Sequence, residues 1–242
     1  MVGRAGRLAD VDVHSLHGEF DRIAERSPLF RALDPDTRAD LLKLGRPKNF
    51  PSGTMIMQEG SDGANMMILV KGSVRISLLT AAGKRFIVGD LQRGEVLGEM
   101  AMFDGGLRSA DVKAITNCDM VVLERRDVIP FLEKHPAACL RLVETLCRRL
   151  RRTNEQIIDI AFVDLPTRLA KLLVRRSMEG LDGAVRNKLS DSQGELAAMI
   201  GCSRENVNRC LRDMQKKGLL ALEDGWIVLL KRDELHAMGE AA

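Results

Sequence analysis

Residues 195–217, ELAAMIGCSRENVNRCLRDMQKK, constrain this chain more than any other stretch. Leu196, Met199 and Ile200 share one helical face, and Val207, Cys210, Leu211 and Met214 share another. Between the two lies Gly201-Cys202-Ser203, where a turn between steeply crossed helices needs a backbone conformation that glycine adopts at little cost. Ser192 and Glu195 are spaced as a capping box for the first helix, and Ser203 is a good N-cap for the second. The second helix then carries Arg204, Glu205, Asn206, Asn208 and Arg209 in its first two turns. Arginine can give two hydrogen bonds to guanine and glutamate can accept one from cytosine, and a recognition helix offers its N-terminal residues to base edges. Two readings stay open at this point: a DNA-reading helix-turn-helix, or an ordinary helical hairpin with a solvated charged face.

Composition narrows the classes. The 242 residues allow one large or two ordinary domains with real cores. A net charge of +3 is too small to argue for nucleic acid, but basic residues cluster locally at Arg148, Arg149, Arg151 and Arg152 and again over 204–217. Aromatic residues make up 3% of the chain, which disfavours single-strand stacking platforms. The five cysteines and four histidines show no zinc or disulfide spacing. No metal or haem is expected. With neither a signal peptide nor an apolar run of spanning length, a cytoplasmic location without membrane partners is expected. No Walker loop, nucleophile elbow or metal-ligand cluster suggests an enzyme.

From Arg46 onward, short apolar or alternating runs at 48–50, 54–57, 66–70, 74–79, 86–91 and 112–123 are punctuated by glycine turns. This pattern predicts an all-β sandwich, barrel or jelly roll. It is broken by VLGEMAMFDGGLRSA at 96–110, read as one short helical turn, a glycine loop and Arg-Ser. Helix-start amides at Gly98–Met100, the Arg108 guanidinium and the Ser109 hydroxyl together suit an anion. Glu99 would repel a phosphate but can accept from a sugar hydroxyl, so a phosphorylated ribose reconciles all four groups. A simple Glu99–Arg108 ion pair is the alternative.

The 98–110 segment resembles the phosphate-binding cassette of cyclic-nucleotide-binding domains, and GTMIMQEGSDGANMMILVKGSVRI at 53–76 resembles the opening strands of the same domain. With IGCSRENVNRCL downstream, residues 28–230 resemble the catabolite activator (CRP/FNR) family of transcription regulators. The resemblance implies an α+β chain: an N-terminal extension over 1–27, a jelly-roll-like cyclic-nucleotide-binding β-roll over 28–136, a dimerisation helix over 137–163, and a winged helix-turn-helix over 164–242. The helix is also legible without it. Residues 137–162 lack Gly and Pro, and Val143, Leu146, Leu150, Thr153, Ile157 and Ile160 alternate spacings of three and four, a coiled-coil seam about 39 Å long.

What the resemblance implies for sites is specific. Glu99 would hold the ribose 2′-hydroxyl, while Arg108, Ser109 and the amides around Gly98, Glu99 and Met100 would hold the cyclic phosphate. Thr153 and Asn154 match the place where cAMP-responsive members read adenine across the dimer, although Ser109 could also serve a syn guanine, so cGMP stays open. Ser203, Arg204, Glu205, Asn206, Asn208 and Arg209 would face DNA, as an inverted repeat of TGTGA-like half-sites. RNA polymerase is an implied partner, with the 180–188 loop as the expected contact. A cyclic-nucleotide-binding regulatory subunit of another protein is the competing reading; it usually repeats the nucleotide domain and lacks a helix-turn-helix.

Overall fold

A computed structural model describes residues 33–178 and 187–240; the 1–27 extension and most of the 180–188 loop lie outside the described residues. The chain divides into two compact units. One comprises the chain up to Ile76 with Asp90–Cys147, and the other Ser77–Gly89 with Arg148–Ala242.

The first unit opens with helix α1 (Pro35–Lys43), capped by Asp34, whose side chain accepts from Thr37 N. Two four-stranded sheets follow. One orders β1 (Arg46–Phe50), β8 (Cys118–Glu124), β3 (Asn65–Lys71) and β6 (Val96–Leu97); the other orders β2 (Met55–Met57), β7 (Asp111–Ala114), β4 (Ser73–Leu79) and β5 (Arg85–Gln92). β3 reads as an unbroken apolar run because both of its faces are covered. Met67 and Leu69 join Val74, Val112 and Met120 in one core cluster, whereas Met66, Ile68 and Val70 join a second cluster. That second cluster includes Met102 from α2 (Glu99–Asp104), Val128 and Phe131 from α3 (Arg125–Lys134), and Ala138 and Leu142 from α4 (Pro136–Phe162). Ile68 and Leu69 have no exposed surface, and burying such a side chain contributes about 2 kcal/mol.

Two expectations need correction, and one helix was not expected. The 112–123 run is two strands in different sheets, β7 and β8, parted at Ile115–Asn117. There Ile115 N and Thr116 N both turn to Ser73 O. Val96–Leu97 is a strand and not part of the insertion, since it pairs with Ile68 and Met67. Helix α3 was not foreseen, because Pro130 in its middle reads as a breaker.

In the second unit, α5 (Leu165–Met178), α6 (Gln193–Ile200), α7 (Arg204–Lys216) and α8 (Arg232–Glu240) pack with a small sheet ordered β10 (Leu220–Glu223), β11 (Trp226–Leu229), β9 (Lys188–Leu189). The wing thus has three strands, the hairpin of β10 and β11 being joined by β9 through Lys188 and Leu189. Asp224 and Gly225 both take positive φ, 45° and 82°, as a type I′ hairpin requires. Part of the β4–β5 hairpin belongs to this unit: Ile87 sits in its core cluster, and Gln156 Nε2 donates to Val88 O at 3.0 Å.

Candidate functional site

The 98–110 segment folds around one guanidinium. Gly98, at φ 78°, N-caps α2 and sends Glu99 into the first turn; Gly105, at φ 71°, ends it. Arg108 is 6% exposed and Glu99 4%. Arg108 Nη1 donates to Asn65 O and Gly98 O, both at 2.8 Å, and Nη2 donates to Asn65 Oδ1 at 2.7 Å. Its main chain is equally fixed: Arg108 N donates to Ser61 O and accepts at its carbonyl from Gly60 N, each at 2.8 Å. Burial lowers the guanidinium pKa, opposed first by the Glu99 carboxylate and then by that of Glu124. A Cβ on Gly63 would collide with Arg108 Nε and Cζ, and one on Gly98 with Arg108 Nη1. The guanidinium therefore occupies a slot that only glycines leave open.

Gly98, Glu99 and Arg108 are brought into one cluster. Met100 and Ser109 meet at its exposed side, where Ser109 Oγ lies 3.5 Å from Met100 Sδ. Sequence reasoning missed Asn65 and Gly63. Asn65 follows a glycine-rich turn as the first residue of β3, a place where a polar side chain is easily taken for turn chemistry.

Thr153 and Asn154 lie in the second unit, both exposed on α4. Thr153 Oγ1 donates to Arg149 O at 3.0 Å. The seam on α4 is open: Val143 (47%), Leu150 (61%) and Ile157 (59%) are exposed.

The helix-turn-helix is built by its caps. Ser192 Oγ accepts from Glu195 N, and Ser192 N donates to the Glu195 carboxylate. Gly201 closes α6 at φ 67°, and Ser203 Oγ accepts from Asn206 N at 3.3 Å. Val207, Cys210, Leu211 and Met214 are buried, turning Ser203, Arg204, Glu205 and Arg209 outward, with Asn206 and Asn208 half-buried. Arg209 Nη2 donates to Asn206 Oδ1 at 2.7 Å. The Glu205 carboxyl is held below its ordinary pKa, chiefly by its own backbone N–H and then by Ser203. Among the described residues no His, Cys, Asp and Glu group could hold a metal, and no helix is long and apolar enough to cross a membrane.

Comparison with known proteins agrees with both halves. Residues 47–135 match the cyclic nucleotide-binding domain, and residues 167–238 match the Crp-like helix-turn-helix domain. A CRP-like cAMP-activated global transcriptional regulator of Mycobacterium tuberculosis is 32% identical over 220 residues, 89% of this chain and 97% of the relative. The cAMP-activated global transcriptional regulator CRP of Haemophilus influenzae is 28% identical over 183 residues, 74% and 82% of the two chains. The c-di-GMP-responsive global regulator CLP of Xanthomonas campestris shares the fold, with a TM-score of 0.74 at 23% identity over 81% of this chain and 99% of that one. With a cyclic-nucleotide domain ahead of a DNA-binding helix-turn-helix, and this likeness along nearly the whole length of a named regulator, the chain belongs to the CRP/FNR family of transcription regulators.

Proposed function

We propose that this chain is a homodimeric, sequence-specific DNA-binding regulator switched by a cyclic nucleotide, with cAMP the preferred effector. The observation that carries the reading is the setting of Arg108. Its Nη1 hydrogens and one Nη2 hydrogen go to Asn65 and Gly98, so a ligand would meet the Nε/Nη2 edge, which only the missing side chain of Gly63 leaves uncovered. That edge matches two oxygens of a cyclic phosphate, with Ser109 and the amides around Gly98–Met100 beside it and Glu99 accepting from the ribose 2′-hydroxyl.

Thr153 favours adenine over guanine. Its hydroxyl proton is given to Arg149 O, which leaves the oxygen as an acceptor for the adenine amino group. Guanine offers an acceptor there, and the hydroxyl would have to leave its own helix to donate. The M. tuberculosis relative is named as cAMP-activated, in the same sense. Asn154 would complete base reading from the second subunit, and the exposed apolar seam of α4 supports pairing with a second copy. Ser203, Arg204, Glu205, Asn206, Asn208 and Arg209 would then read an inverted repeat of TGTGA-like half-sites, with RNA polymerase as the downstream partner. Calorimetry with cAMP and cGMP, then DNA binding with each, tests this. Tighter cAMP binding that raises affinity for the palindrome is expected; binding of neither nucleotide would overturn it.

A further inference from the structure

The segment that carries Glu99 does not hold itself in place. Helix α2 is six residues long, and so short a helix leaves most of its carbonyls without intrahelical partners. Arg125, the first residue of α3, partners two of them: its Nη1 donates to Met102 O, and to Phe103 O at 3.4 Å. A cation at a helix C-terminus also complements the helix dipole.

Arg125 touches the other wall of the same site as well. Its backbone N–H donates to Ala64 O at 3.0 Å, one residue before Asn65, whose carbonyl and side chain hold Arg108. The preceding residue, Glu124, pairs in register with Asn65, and its carboxylate is near enough to bias the Arg108 pKa. Met102, whose carbonyl Arg125 holds, packs its side chain among Val128 and Phe131 of α3 and Ala138 and Leu142 of α4.

We infer that Arg125 is a positioning residue of the nucleotide site. It fixes α2 against the Gly63–Asn65 turn, so that Glu99 and Arg108 are held at the spacing of one phosphorylated ribose before the ligand arrives. The inference rests on the nucleotide reading given above. It differs from a general stability role because the guanidinium acts on two main-chain carbonyls of the one short helix that carries Glu99.

The test uses the full-length protein with Arg125→Gln, Arg125→Lys and, as control, Arg126→Gln, a largely exposed neighbour 3.8 Å from Asp127. In the absence of nucleotide, Arg125→Gln is expected to speed amide exchange at Met102 in α2 and at its C-cap Gly105, which donate to Gly98 O and Ala101 O, with the thermal midpoint little changed. By calorimetry it is expected to weaken cAMP by about tenfold, the scale of one charge-assisted hydrogen bond. Arg125→Lys keeps a cation that can reach the same carbonyls and should restore most of both; Arg126→Gln should alter neither. Wild-type exchange in α2 for Arg125→Gln, or wild-type affinity despite faster exchange, would overturn the inference. If the unmodified protein binds neither cAMP nor cGMP, the nucleotide reading fails, and the exchange comparison alone decides whether Arg125 holds α2.

Discussion

Arg108 is held by five hydrogen bonds, three through its side chain and two through its main chain, so its guanidinium is placed in advance and its charge is desolvated. Both features raise what an anion gains from it. Arg108→Ala is expected to abolish measurable cyclic-nucleotide binding in calorimetry, because the slot over Gly63 is left empty. Gly98→Ala should weaken the same binding without removing any functional group: a Cβ there collides with Arg108 Nη1 and crowds Asn65 O at 3.0 Å, on a backbone at φ 78° that alanine disfavours. Binding within a few-fold of wild type for either variant would contradict the phosphate assignment. Thr153→Ala removes the hydroxyl and should weaken cAMP by about 1–3 kcal/mol, with a smaller effect on cGMP. Equal losses for both would mean that the base is read elsewhere. Arg108 and Glu99 were legible as residue types; Asn65 and Gly63 were not, because they are some 45 residues upstream of Arg108 and only strand pairing brings them to it.

At the scale of elements, α7 divides its residues by face. Four buried apolar residues fix its rotation, and this leaves Arg204, Glu205 and Arg209 outward. Asn206 accepts from Arg209 at 2.7 Å, which orients one guanidinium in advance. Arg209→Ala is expected to cost about 1–3 kcal/mol on a palindromic site and to relax preference at one symmetric pair of positions. Lys216, at the opposite end of α7 and exposed beside Asp213, can offer only charge. Lys216→Ala should therefore shift all sequences about equally and more at low salt. Binding to single-base variants at two salt concentrations separates the two cases, and a uniform loss for Arg209→Ala would return α7 to an ordinary charged face. The two helices were readable in advance because caps and turns are local chemistry: Ser192, Glu195, Gly201 and Ser203 act on groups within a few residues of themselves. Helix α3 was not, because Pro130 argues against a helix locally while Val128 and Phe131 are held in place by burial against distant strands.

For the whole molecule, α4 presents an apolar seam that the single chain leaves open. Leu150 and Ile157 are each about three-fifths exposed, and two such helices side by side would bury them knobs-into-holes. Leu150→Glu is expected to yield a monomer by sedimentation at micromolar concentration, and to lose palindrome binding while α6 and α7 keep their helical signal. A stable Leu150→Glu dimer would place the interface elsewhere. By itself the sequence determined the glycine-punctuated strands, the heptad spacing of α4 and the capped helix pair, because each depends on neighbours within a turn or a strand. Tertiary structure alone decided that 112–123 becomes two strands in different sheets, that the wing gains a third strand at Lys188–Leu189, and that Asn65, Gly63 and Arg125 gather around Arg108 and α2. The physical reason is range: caps and turns are satisfied along the chain, whereas the partners of a buried guanidinium and of the carbonyls of a six-residue helix are set by which strands pair.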